Sequence, residues 1–192
     1  MTEAEADIAN AREIYLPSEL RVSRHAAALA PPVRTHHIWC SRHNPGALEV
    51  VNELKHAGGY EGRLLVTEEP GAMAEADHVL LYLSLATWAD DGQRKTELTA
   101  EIRGALQAGR KLLLVHETDE NKGGAPLDRL RSECAAEVRQ YVFGSEASPS
   151  DVIPWHRISD FQLVSLRLTR AQSGFLTTHS LIHARMHSPE EI

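Results

Sequence analysis

Cysteine is scarce in this chain: it has 2, Cys40 and Cys134. Two thiols so far apart in sequence make neither a disulfide framework nor a paired-cysteine metal site, which points to a reducing, cytoplasmic setting. Long apolar runs are absent as well, and none approaches the roughly 20 residues of a membrane span. The N-terminal stretch MTEAEADIANAREIY is acidic and polar, unlike a secretory leader. Positive charge is in the minority, with 20 Lys and Arg against 27 Asp and Glu and a formal net charge of −7. No dense basic run exists, so a surface that tracks nucleic-acid phosphates is not expected. Three glycine motifs are missing too. Without G-x-G-x-x-G or a Walker loop there is no Rossmann or P-loop signature, and without G-x-S-x-G there is no nucleophile elbow. No internal repeat or extended low-complexity segment is visible.

What remains is an ordinary globular composition, with the clearest organisation between Asp77 and Glu117. Val79–Leu83 and Leu112–Val115 are short apolar runs without alternation, the pattern of strands covered on both faces. An amphipathic helix between them has the length of a parallel crossover. Upstream, HHIWC at 36–40 reads as a first strand. It is followed by a helix with Asn44 as N-cap, Pro45 at the first helical position and Gly58 at the C-cap. Arg63–Thr67 is a second strand, and EEPGAM a turn with Pro70-Gly71 at its tip. Met73–Ala76 is at most one helical turn. Leu127–Val138 is a further helix, with Leu130, Cys134 and Val138 spaced by four. Val152–Trp155 is a last strand and Ser159–Ala171 a last helix with a wide apolar face. Strands alternating with helices predict an α/β fold: a flavodoxin-like three-layer sandwich with a five-stranded parallel sheet in the order 2-1-3-4-5. Pro31-Pro32 marks a boundary, giving a peripheral extension at 1–35, a domain at 36–172 and a tail at 173–192. These peripheral ends suggest a fragment of a longer protein.

In such sheets ligands sit beyond the carboxyl ends of the strands. Three polar clusters converge there: Ser41-Arg42-His43-Asn44, Ser84 through Trp88, and His116-Glu117 with Asp119. Asn44-Pro45-Gly46 opens a helix, where an anion can bind. Ser84 and Thr87 either contact a ligand or cap the loop before the helix. Trp88 either stacks on a ligand ring or covers the core. His116-Glu117 reads as a polar strand end, since it lacks the two-histidine spacing of a zinc helix. Glu97 and Glu101 share one helix face, and like charges four apart cost a few tenths of a kcal/mol. One reading of Glu101 is a solvated side chain. The other is a carboxylate at the sheet edge that holds a sugar and stabilises an oxocarbenium-like centre. His179, His183 and His187 recur every four residues in the tail, where they are either a metal-binding face or part of an unanchored segment.

The order of four segments resembles the TIR (Toll/interleukin-1 receptor) family over about residues 36–172. HHIWCSRHNPGALEVVNEL is similar to its first strand and helix, with Ser41 at the strand end. ADHVLLYLSLATW is similar to the third strand and its loop, AEIRGALQAGRKLLLVHETD to a glutamate-centred helix and the next strand, and IPWHRISDFQLVSLRL to the last strand and helix. The resemblance implies one of two activities. The first is an intracellular signalling module acting through self-association, with homo-oligomers or other TIR-like domains as partners and no nucleic acid or membrane. The second is hydrolysis of NAD+ with nicotinamide release, NAD+ being a substrate and no cofactor being required. By the EIRGAL segment Glu101 matches the family's catalytic glutamate. Ser41, Arg42, Ser84 and Trp88 are then the substrate-binding candidates, with Arg42 on the phosphates, and Pro70 and Gly71 the remnant of the assembly loop. Three departures stand out. Glu97 and Leu98 occupy the positions where the family usually has Trp-Cys, the loop after the second strand is cut to EEPGAM, and the spacing between Ser84 and Glu101 is longer than usual. A third expectation, from the fold class alone, is a flavodoxin-like binding domain outside the TIR family.

Overall fold

The computed structural model describes residues 29–89, 92–145 and 148–157. Five parallel strands form one sheet in the order β2-β1-β3-β4-β5. They are β1 (His36–Cys40), β2 (Val66–Thr67), β3 (Ala76–Leu83), β4 (Lys111–Glu117) and β5 (Val152–Trp155). The helices are α1 (Ala47–Gly58), α2 (Gln93–Gln107), α3 (Leu127–Glu133) and α4 (Ala136–Phe143). The three-layer α/β architecture expected from the sequence is therefore the one observed. Among the described residues no helix is long and apolar enough to cross a membrane.

The apolar runs lack alternation because both sheet faces are covered. Ile38, Cys40, Leu80, Tyr82, Leu113, Val115, Ile153 and Trp155 pack on the side of α1, with Val50, Val51 and Leu54. Leu81, Leu83 and Leu114 pack on the other side, with Leu98 and Ile102 of α2, Leu130 of α3 and Val138 of α4. The register sets Cys40 beside Leu80 and Leu80 beside Leu113, so one buried row crosses three strands.

Three local expectations change. The second strand is shorter than Arg63–Thr67, because Arg63 and Leu64 donate their amides back to the Tyr60 carbonyl in a turn. The stretch 127–138 is not one helix. Cys134 is extended (φ −64°, ψ 141°), which separates α3 from α4, yet Leu130, Cys134 and Val138 all reach the same core. Asn44 does not cap α1. Its buried amide instead pairs with the Tyr82 backbone, accepting from the amide at 2.7 Å and donating to the carbonyl at 2.8 Å. Helix α1 starts after Gly46, and Pro45 lies outside it. The C-cap is Gly59 at φ 63°, one position beyond Gly58.

Gly46 is required by two conditions at once. Its φ is +86°, and a Cβ there would lie 2.5 Å from the Tyr82 ring. Gly46→Ala is expected to destabilise the fold by about 2–3 kcal/mol, from left-handed strain and displacement of a packed ring. Urea unfolding measures it, and a cost below about 0.5 kcal/mol would contradict this packing.

Residues 29–35, assigned to the peripheral extension, are tied to the sheet. The amides of Val33 and Arg34 donate to the Asp77 carboxylate at 2.8 and 3.0 Å, and the amide of Thr35 to the Glu75 carbonyl at 3.1 Å. The helix expected at 159–171 and the histidines at 179, 183 and 187 lie outside the described residues.

Candidate active site

The strand order reverses between β1 and β3, so the loops leaving them diverge and open a crevice at the carboxyl edge. Cys40, the last residue of β1, faces the α1 side. Ser41 follows it and meets α2 on the opposite side. There Ser41 Oγ donates to Glu101 Oε2, and His43 Nδ1 lies 3.1 Å from Glu101 Oε1. The His43 amide donates back to Ser41 Oγ at 2.9 Å. Two side chains from the loop after β1 thus close on one α2 carboxylate about sixty positions away in sequence.

The first turn of helix α2 carries no buried residue. Leu98 is its first buried residue, and Leu98, Thr99, Ile102 and Ala105 then form the contact stripe. Glu101 borders that stripe and meets Ser41 and His43, whereas Glu97 is exposed. Glu101 keeps 26% of its side-chain surface and His43 keeps 38%, so the site opens to solvent. Next to it, Arg42 pairs with Glu69 at 3.3 Å, both exposed, an ion pair of small energetic weight that leaves the guanidinium accessible. Trp39 Nε1 donates to the Glu69 carbonyl at 3.1 Å and fixes the turn preceding Pro70-Gly71. Gly71 has φ 89° and starts the single 3-10 turn Ala72–Glu75.

Ser84 and Trp88 stand apart from this cluster. Ser84 is buried, and its amide donates to Thr87 Oγ1 at 2.8 Å, which in turn donates to the Tyr82 carbonyl at 2.7 Å. Thr87 is thus the cap of the β3–α2 loop. Trp88 is 1% exposed and packed in the α2-side core, so neither ring face is open to a ligand. His116 Nε2 lies 2.7 Å from the Ala125 carbonyl, a tie between strand end and loop. Among the described residues no group of three or more His, Cys, Asp or Glu side chains is placed to hold a metal ion.

A second polar cluster forms on the α1 side of the same edge; the sequence reading named its centre, Glu117, as a polar strand end but not its partners Tyr82, Glu53 and Arg157. Glu117 ends β4 and is fully buried. Its Oε2 accepts from Tyr82 Oη at 2.5 Å and from Arg157 Nη2 at 2.7 Å, and its Oε1 from the Asp119 amide at 2.9 Å. Arg157 also donates to Glu53 of α1, which accepts from Trp155 Nε1 at 3.1 Å. Burial, then the hydrogen bond to Glu117, holds the Tyr82 phenol well above its ordinary range. For Arg157 burial opposes the charge, but the bonds to Glu117 and Tyr82 outweigh it and raise its pKa. Strand periodicity gave a signal here, since Leu113, Val115 and Glu117 share a face. Arg157 carries no such signal, because it lies beyond β5.

At the other end of the strands is an open concavity of about 420 Å3, lined by His78, Leu106, Lys111, Leu112, Tyr141 and Asp151 among others. It shares no residue with the Glu101 cluster. Desolvation lowers the His78 imidazole below its ordinary 6.5, against smaller raising effects of the His37 backbone and Asp77. The fold therefore favours neutral His78. That stability is present above about pH 6.5 and is lost as pH falls towards the depressed folded value. Urea titrations at pH 7.5 and 5.5 are expected to show a larger loss for the wild type than for His78→Leu. Equal losses would remove His78 as a source.

Comparisons with protein-family models, with curated proteins and with solved structures returned no match.

Proposed function

We propose that this chain is a TIR-like module whose chemistry is the hydrolysis of NAD+ at Glu101. The observation that carries the reading is the convergence of Ser41 and His43 on the Glu101 carboxylate at the switch point of the sheet. A solvated helix glutamate has no reason to receive a buried serine from the loop after β1. A carboxylate that must face a developing positive charge does, because its orientation has to be fixed before the reaction. In this reading Glu101 stays ionised, holds the nicotinamide ribose and stabilises the oxocarbenium-like centre as the glycosidic bond breaks. Arg42, exposed beside it, takes the phosphates. Ser41 orients the carboxylate. Trp88, enclosed by the core, supports α2 from below and does not touch the nicotinamide.

Self-association belongs to the same proposal. The half-exposed carboxylate has an open side, which favours a site completed by a second copy of the chain. The experiment is nicotinamide release from NAD+ over a range of protein concentrations, with Glu101→Gln in parallel. Release that rises per molecule with concentration and disappears in the variant supports both parts. Concentration-dependent oligomers without release support association alone. An inert monomer returns the chain to the wider class of flavodoxin-like binding domains.

A further inference from the structure

Resting on that hydrolase reading, one step remains unassigned: the attacking water must lose a proton. Glu101 is the weaker candidate, because Oε2 already accepts from Ser41 Oγ and Oε1 from His43 Nδ1, and in that reading its remaining lone pairs serve the ribose. We propose that His43 is the general base, and that Glu101 orients its ring as well as facing the sugar. A carboxylate only accepts hydrogen bonds, so the shared proton sits on Nδ1, and in its neutral form the ring presents a lone pair at Nε2. Among the described residues no protein group bonds to Nε2; His43 makes its hydrogen bonds through its amide and its Nδ1. The side chain keeps 38% of its surface, so water reaches it. A carboxylate on one imidazole nitrogen with the other nitrogen free is the pairing that makes histidine a positioned base in hydrolases. Here Ser41 Oγ is bonded to the carboxylate and not to the ring, which leaves Nε2 for water.

The balance closes without an added reactant. The bond from the ribose C1′ to the nicotinamide nitrogen breaks, and its electron pair leaves with neutral nicotinamide. The water oxygen bonds to C1′, its proton passes to His43 Nε2, and from there to solvent. Glu101 stays ionised throughout.

The test uses the full chain with NAD+, with and without 3-acetylpyridine, a nucleophile that attacks C1′ without having a proton to lose. His43→Asn keeps an N–H donor near the Nδ1 position. It is expected to lower hydrolysis by about a hundredfold and pyridine exchange by less than about threefold, so that the exchange-to-hydrolysis ratio rises. Equal loss in both reactions, or no loss, overturns the inference while the hydrolase reading survives. A wild type that releases no nicotinamide, or release retained in Glu101→Gln, overturns both. Nitrogen NMR of the imidazole supplies a readout independent of turnover. The neutral His43 ring is expected as the Nδ1–H tautomer in the wild type and as a mixture in Glu101→Gln. An Nε2–H ring in the wild type overturns the inference.

Discussion

Replacing Arg157 by alanine is expected to lower the free energy of unfolding by about 3–5 kcal/mol, the cost of leaving a buried charge without its partner. Glu117 is completely enclosed, and Arg157 supplies two of its contacts, from Nε at 2.9 Å and from Nη2 at 2.7 Å. After the substitution Tyr82 Oη and the Asp119 amide still donate, but neither is a cation. Glu53 loses its charge partner as well, although at 36% exposure solvent replaces much of it. The effect belongs to the pair. Glu117→Gln with Arg157→Met is therefore expected to cost less than the sum of the two single changes, because the double variant strands no buried charge. Chemical denaturation of the four proteins completes the cycle. A loss below about 1 kcal/mol for Arg157→Ala would show that water already solvates Glu117.

Glu101→Gln is expected to reduce nicotinamide release by at least about a hundredfold, the scale on which removal of one preorganised electrostatic contact acts. The amide nearly matches the carboxylate in shape, so the change removes charge while keeping volume. It also turns one acceptor into a donor, which faces either Ser41 Oγ or His43 Nδ1 and disorders the cluster. Stability is expected to change little, since Glu101 is half-buried on a helix whose docking stripe is Leu98, Thr99, Ile102 and Ala105. Glu97→Gln is the matched control. Glu97 lies one turn away, is exposed, and is expected to leave turnover within about twofold of the wild type. If the two variants behave alike, Glu101 is not the centre of the chemistry.

The sheet was readable because burial on both faces writes itself directly into sequence. Val79–Leu83 and Leu112–Val115 have no alternation, and each strand end is followed by a polar residue. The strand Val152–Trp155 was legible to the residue, and α1 in outline. Its cap was not, since Asn44 fits the local N-cap pattern equally well when its amide is used across the sheet on Tyr82. The helices α3 and α4 read as one, since residues spaced by four reach the same core whether or not Cys134 breaks the helix.

The site divides in the same way. Ser41, Arg42 and Glu101 were identifiable as polar residues near a sheet edge. Helix periodicity could not separate Glu101 from Glu97, because residues four apart share a helix face. Trp88 and Ser84 stood in the right loop, but core packing and the Thr87 cap claimed them.

The α/β alternation, the parallel sheet and the edge where polar residues gather are written in the chain itself. Those follow from local periodicity and from the geometry of crossovers. Which polar residues meet is set by the folded arrangement. The contacts of Glu101 with Ser41 and His43, and of Glu117 with Tyr82 and Arg157, join positions 35 to 60 residues apart. Such contacts depend on strand order, register and helix docking together, and no local pattern encodes them.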